Sequence, residues 1–160
     1  MATILAASPV RAGPGEHHWS PNIDYLTCNN TEWSAIWDGN GFLHTPHNHM
    51  RGAKHRDSVI VYKTWDGSCW RASWDAAAAK FKHEPIDAHG NVGPTHEDIV
   101  LNYIHWSKAK WTALRDDNGF LHILVAEPDG GGIFGGIKDF VLKNGAKVSV
   151  TIPFPSGDHR

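Results

Sequence analysis

Hydrophobic and polar positions alternate along this chain in short runs that turn residues separate. Residues 32–37 and 42–45 flank Asp38-Gly39-Asn40-Gly41, and an Asn-Gly turn between two such runs is a strong hairpin signal. The same pattern predicts three more hairpins, at residues 59–74, 110–127 and 137–152. Antiparallel strands are therefore expected to dominate the fold.

Three segments carry helix signals instead. Ser20-Pro21 has a capping residue before a first-turn proline, and Ser73 precedes the alanine-rich run at 75–81. The run at 95–98, Thr-His-Glu-Asp, fits a capping box, and the apolar residues after it recur at helical spacing up to Ile104. We therefore expect helices at these three places.

The turn WDGNGFLH at 37–44 returns as RDDNGFLH at 115–122, 78 positions later. In the same ungapped register Trp33 matches Trp111 and Tyr25 matches Tyr103. The predicted fold class is α+β, mainly antiparallel β: an internal duplication of a helix plus a four-stranded meander, forming one pseudo-two-fold domain. The predicted boundaries are a flexible N-terminal arm at 1–19, a first unit with a trailing helix at 20–84, a linker at 85–94 and a second unit at 95–160. A sandwich, a barrel and propeller-like blades all stay open as the assembly of the two meanders.

Strand alternation divides each repeated hairpin into two faces. With a two- or four-residue loop, an aliphatic face carries Ile36 and Leu43, or Leu114 and Leu121 in the second copy, and we expect it to form the core. The opposite face carries aromatic and histidine side chains around a small alanine, which leaves a hollow beside the imidazole. The predicted ligand-binding residues on this face are Trp33, Trp37, His44, Trp111, Arg115 and His122.

Composition limits the possible functions. The net charge of −2 offers no basic surface for nucleic acid, and no apolar stretch is long enough to span a membrane. The N-terminus lacks the basic start of a secretory signal, so a cytoplasmic protein with Cys28 and Cys69 as free thiols is expected. Asn29-Asn30-Thr31 fits the glycosylation sequon, which carries little weight in a cytoplasmic protein. Eight Trp and twelve His are the unusual counts that a function has to explain.

A histidine cluster suggests one enzymatic function. Gly41 is followed after five residues by His47-Asn48-His49, a spacing that resembles the first half of the cupin metal motif. The resemblance implies a metal-dependent enzyme of the dioxygenase or isomerase type, with His47, His49 and His55 as candidate ligands of one transition metal ion. The glutamate of that motif is missing, because Ala53 and Lys54 stand at its place. The alternative is a solvated polar loop and no cofactor.

Two further resemblances complete the candidates. His44 and His122, at equivalent places in the two copies, resemble the histidine pair of the two-histidine phosphoesterases, although Pro46 and Leu124 replace the phosphate-holding hydroxyls. The segment VIVYKTWDGSCW at 59–70 is similar to blades of small sugar-binding propeller lectins. Because sugar C–H faces stack on Trp, we favour a small-ligand or carbohydrate-binding module with duplicated Trp/His sites. The partner would then be a small molecule or a glycan, in an oligomeric state that the sequence leaves undetermined.

Overall fold

The structure, a computed structural model, describes residues 13–47 and 52–154, and within them the chain is all-β. The predicted α+β class is therefore wrong: fifteen strands and no helix occur in the described ranges. The strands form four antiparallel sheets, three large ones and one two-stranded hairpin. None of the described segments is a helix long and apolar enough to cross a membrane.

The first two large sheets are four-stranded meanders that follow each other along the chain. The first contains β2 (Asn22–Leu26), β3 (Glu32–Trp37), β4 (Phe42–Pro46) and β5 (His55–Asp57). The second contains β6 (Ile60–Lys63), β7 (Cys69–Asp75), β8 (Lys80–Pro85) and β9 (His96–Asp98).

The third large sheet joins the N-terminal strand of the described chain to the strands that follow the second sheet. It contains β10 (Val100–Ile104), β11 (Lys110–Asp116) and β12 (Gly119–Glu127), and β1 (His17–Ser20) pairs with β12 as the fourth strand. A short strand, β13 (Gly130–Gly132), also pairs with β12. The expected flexible arm therefore supplies a strand from His17 onward, and residues 1–12 lie outside the described residues.

The chain is thus a triplicate and not a duplicate. Trp33, Trp70 and Trp111 occupy the second strand of each sheet and are 37 and 41 positions apart, which together give the shift of 78. The turns before these strands agree as well, because Asn30, Gly67 and Lys108 all have positive φ, at 66°, 85° and 74°. The predicted two-fold repeat matches the first copy to the third and misses the middle one.

The innermost strands β2, β6 and β10 contact one another, so the three sheets surround a common centre like three blades of a propeller. The core at this centre takes the same residue types from each sheet. The sets are Ile23, Ile60 and Leu101; Tyr25, Tyr62 and Tyr103; Ala35, Ala72 and Ala113; Phe42, Phe81 and Phe120.

The predicted cross-strand register is confirmed, whereas the predicted aliphatic core face is wrong in the first sheet and confirmed only for Leu114 and Leu121. Ala35 lies opposite His44 and Ile36 opposite Leu43, as a four-residue loop requires. In the first sheet the aromatic face is the buried one, while Ile36 and Leu43 are partly exposed. Burial by neighbouring sheets explains the inversion, because the repeated aromatic residues meet at the centre.

A second core explains why the third sheet is buried on both faces. Its aliphatic residues Leu114 and Leu121 pack under the hairpin of β14 (Ile137–Val141) and β15 (Lys147–Thr151). The buried carboxylate of Asp116 holds this hairpin by accepting hydrogen bonds from the backbone N–H of Lys143, at 2.8 and 2.9 Å.

Contacts at three equivalent positions of the repeat connect neighbouring sheets. The indole N–H of Trp106 donates to the Trp33 carbonyl at 3.0 Å, and that of Trp65 donates to the Trp111 carbonyl at 2.9 Å. Cys28 stands at the position of these two tryptophans and forms a disulfide with Cys69, the residue before Trp70, with 5.3 Å between the Cα atoms. The expected free thiols are therefore wrong, because the fold brings these two turns within disulfide range.

The three expected helices are absent for local reasons. Residues 76–79 form a turn that the Asp75 carboxylate caps at the Ala78 N–H, 3.1 Å away, and Ala79 reverses the backbone with φ of 54°. A run this short does not sustain a helix alone. The apolar residues of β10 only mimic helical spacing, because that strand is buried on both faces and shows no alternation. The segment after Ser20 is β2.

Candidate functional site

Each large sheet carries the same aromatic set: an inner tyrosine, two stacked histidines and a tryptophan. In the first sheet the His44 and His55 rings stack at 4.9 Å, and His55 meets Trp33 edge-on at 5.3 Å. The corresponding ring distances are 5.7 and 5.5 Å in the second sheet and 5.4 and 5.3 Å in the third. These sets are His83, His96 and Trp70, and His122, His18 and Trp111.

The inner histidine is held by hydrogen bonds on both nitrogens in the first sheet. His44 Nε2 is 3.1 Å from the Val59 carbonyl, which can only accept, so Nε2 carries the proton. His44 Nδ1 therefore accepts from the hydroxyl of Tyr25 at 2.9 Å. His122 Nδ1 and the Tyr103 hydroxyl repeat this contact at 2.9 Å. Such a pair orients the ring and leaves His44 no free nitrogen for proton transfer.

Burial keeps these histidines neutral. It is the main reason why the pKa of His122 falls to about 4, and the neighbouring His18 lowers it further. The pKa of His83 is also lowered to about 4 by burial and then by His96. The pKa of His44 is lowered by burial first and by His55 second. Burial likewise raises the pKa of Tyr25 and Tyr103, so both hydroxyls stay protonated.

Two clefts, which we name cleft 1 and cleft 2, lie at equivalent junctions between neighbouring sheets. Cleft 1, between the first and second sheets, has a volume of about 550 Å³, and cleft 2, between the third and first sheets, of about 40 Å³. The same eight positions of the repeat line both clefts. In cleft 1 they are Tyr25, Thr27, Trp33, His44, His55, Asp57, Val59 and Val61; in cleft 2 they are Tyr103, His105, Trp111, His122, His18, Ser20, Asn22 and Asp24.

Substitutions at two of these positions explain the difference in size. Cleft 2 has His105 and Asp24 where cleft 1 has Thr27 and Val61. His105 Nε2 lies 3.9 Å from the Asp24 carboxylate, so this pair reaches across the cleft and fills it. Burial raises the pKa of Asp24, but the nearby His105 and the hydrogen bond from Ser34 outweigh it and leave the pKa lowered. Asp24 is therefore ionised and held in place.

Cleft 1 offers a mixed surface of apolar walls and polar groups. Trp33 and Val61 form apolar wall, while the exposed side chains of His55, Asp57 and Asn29 stand at the rim. His55 Nδ1 donates to the Ala53 carbonyl at 3.1 Å, so its Nε2 is the nitrogen left for a ligand. A cleft of this size and lining suits a ligand with both hydroxyl groups and apolar faces.

The predicted ligand-binding residues separate in the structure. Trp33 and His44 line cleft 1, and Trp111 and His122 line cleft 2. Trp37 and Arg115 line neither, because Trp37 packs edge-on against Phe42 and Arg115 lies over the Phe120 ring. His44 and His122 belong to different clefts, and each is paired with its own tyrosine.

The predicted metal ligands do not come together in the described part of the chain. His47 stacks on Trp106 at 3.6 Å, whereas His55 stacks on His44 in cleft 1. His49 lies outside the described residues. Among residues 13–47 and 52–154, no three His, Cys, Asp or Glu side chains are grouped so that they could hold a metal ion.

Sequence reasoning missed several residues of cleft 1, above all Thr27, Asp57 and Val61. An alignment of the three copies would have pointed to this region. The segment from His55 to Tyr62 is as long as the segment from His18 to Tyr25, so the two align residue by residue and their differences become visible. No protein-family model, curated protein or solved structure matches the chain. The candidate site is therefore defined by the differences between the three copies.

Proposed function

We propose that the protein binds a small polyhydroxylated ligand, a carbohydrate, in cleft 1. The observation that carries the proposal is the volume of about 550 Å³ beside a partly exposed Trp33, within the range of about 300–1,000 Å³ typical of ligand pockets. An indole packs against the C–H face of a sugar, and Asp57 and His55 offer an acceptor carboxylate and an imidazole nitrogen for its hydroxyls.

One site is proposed and not two. Cleft 2, at about 40 Å³, has room for a few water molecules and not for a sugar ring. The expected pair of duplicated sites is therefore reduced to one. Trp111 and His122 pack the third sheet, and the ligand binds in cleft 1. Binding at cleft 1 alone brings no avidity, so the affinity of one chain for a monosaccharide is modest.

The two outer histidines provide a matched pair for the test. His55 and His18 are both exposed, both stack on an inner histidine and both meet a tryptophan edge-on at 5.3 Å. Replacing either with Ala removes the same packing, so the two variants should lose similar thermal stability. Only His55→Ala also removes a group from cleft 1.

The experiment is a glycan-array screen of the wild type, followed by calorimetric titration of the bound sugar into both variants. We expect His55→Ala to weaken binding about tenfold, which corresponds to about 1.4 kcal/mol, and His18→Ala to leave it unchanged. Equal losses in both variants, or no sugar bound by the wild type, would show that cleft 1 is not a carbohydrate site.

A further inference from the structure

The turn between β2 and β3 contains the sequence Asn29-Asn30-Thr31, the one place in the 160 residues where Asn is followed two positions later by Ser or Thr without an intervening Pro. This is the acceptor pattern for N-linked glycosylation. Asn29 and Asn30 are both exposed in the folded chain. The acceptor side chain is therefore accessible on the surface of the finished fold.

The hydrogen bonds of the turn hold the amide oxygen of Asn29. The hydroxyl of Thr31 donates to Asn29 Oδ1 at 3.0 Å, and the hydroxyl of Thr27 donates to the same oxygen. The amide oxygen is thus held against the turn, and the amide nitrogen is the atom of Asn29 that would carry a glycan. Asn30, with φ of 66°, closes the turn in the left-handed region.

An independent observation concerns the compartment. Cys28, the residue before the sequon, forms a disulfide with Cys69. Disulfides of this kind persist in oxidising compartments, including the lumen of the secretory pathway, and are rare in the cytoplasm. N-linked glycans are attached in the same pathway, so the disulfide supplies the context that the bare sequon lacks.

We propose that Asn29 carries an N-linked glycan and that the chain matures in an oxidising secretory compartment. In the transfer step the Asn29 amide nitrogen forms a bond to C1 of a sugar supplied as a lipid-diphosphate-linked oligosaccharide. The bond from C1 to the diphosphate oxygen breaks, the amide loses one proton, and the lipid diphosphate leaves. No oxidant or reductant takes part.

The modification has a consequence for cleft 1, because Asn29 stands on its rim. A core glycan attached there occupies the entrance of a cleft of about 550 Å³. The glycosylated and unglycosylated forms should therefore differ in their access to cleft 1. The glycan itself does not depend on whether cleft 1 binds sugar, so the two proposals can fail separately.

In the test, the full chain is expressed with an added secretion signal in eukaryotic cells that make N-glycans. Intact mass is measured with and without peptide-N-glycosidase, on both secreted protein and protein retained in the lumen. Wild type and the matched control Asn30→Gly, which keeps the sequon and the turn, should each carry one glycan. Asn29→Gln should carry none.

The same samples are treated with a thiol-alkylating reagent before reduction, to count free cysteines. We expect none in any of the three proteins, since the disulfide does not require the glycan. Wild-type protein that reaches the lumen without a glycan, or that keeps Cys28 and Cys69 reduced there, overturns the proposal.

Discussion

Acid should destabilise this protein through the histidines buried at its centre. His122 is 2% exposed and His83 5% exposed, and burial lowers the pKa of both to about 4 from an ordinary value of 6.5. In the unfolded chain both side chains titrate near the ordinary value. Between about pH 6.5 and about pH 4 the unfolded state therefore binds protons that the folded state does not.

This difference sets the sign and size of the effect. The stabilisation is complete above about pH 6.5 and is lost as the pH falls toward about 4. The lowered pKa of His122 corresponds to about 3 kcal/mol at the acid end of this window. His83 contributes a loss of the same order. Because domains are stable by only about 5–15 kcal/mol, a loss of this size is a large share of the total stability.

The assay is urea denaturation of the wild type and of His122→Gln at about pH 7, 6 and 5. The free energy of unfolding should fall less steeply with acid in the variant, by up to about 1.4 kcal/mol per pH unit. Replacing the exposed His89 with Gln should leave the slope unchanged. Equal slopes for wild type and His122→Gln, or an NMR titration of His122 with a midpoint near 6.5, would refute the reasoning.

Three further predictions concern the tyrosine–histidine pairs, the disulfide and cleft 2. Tyr103→Phe leaves the buried Nδ1 of His122 without its hydrogen-bond partner and should cost about 1–3 kcal/mol in urea denaturation, and a loss below about 0.5 kcal/mol would argue against the pair. Replacing both Cys28 and Cys69 with Ser should lower the free energy of unfolding by about 2–4 kcal/mol, and a midpoint insensitive to reductant in the wild type would contradict this. His105→Thr should open cleft 2, which a crystal structure of the variant would show, and an unchanged cavity would mean that His105 does not fill it.

Most strands were predictable because their signals are local. The run at 32–37 is β3 as predicted. The hairpin expected at 110–127 is formed by β11 and β12, and the one expected at 137–152 by β14 and β15, which end one residue earlier. Alternation and turn residues lie within a few positions of each other, so no knowledge of the assembly is needed. The turn at Asp38-Gly39-Asn40-Gly41 also determined the correct register between β3 and β4.

The middle repeat was missed because its spacing differs. Six residues separate Trp74 from Phe81, whereas four separate Trp37 from Phe42, so the second copy does not align without a gap. The longer connection is the alanine turn, which also suggested a helix. The burial of the aromatic face could not be predicted from one hairpin, because it depends on two other sheets that close around the centre.

The candidate site was only partly predictable, since repetition and function point to different residues. Tyrosine, tryptophan, alanine, phenylalanine and both histidines recur in every sheet, and most of them pack the centre. Cleft 1 is open because it has Thr27 and Val61 at the two positions where His105 and Asp24 fill cleft 2. Residues that are alike in all three copies meet the shared demands of the fold, such as core packing and ring orientation. A binding site that one junction has and another lacks must arise where the copies differ, so those positions are where mutations can change cleft 1 without disturbing the common architecture.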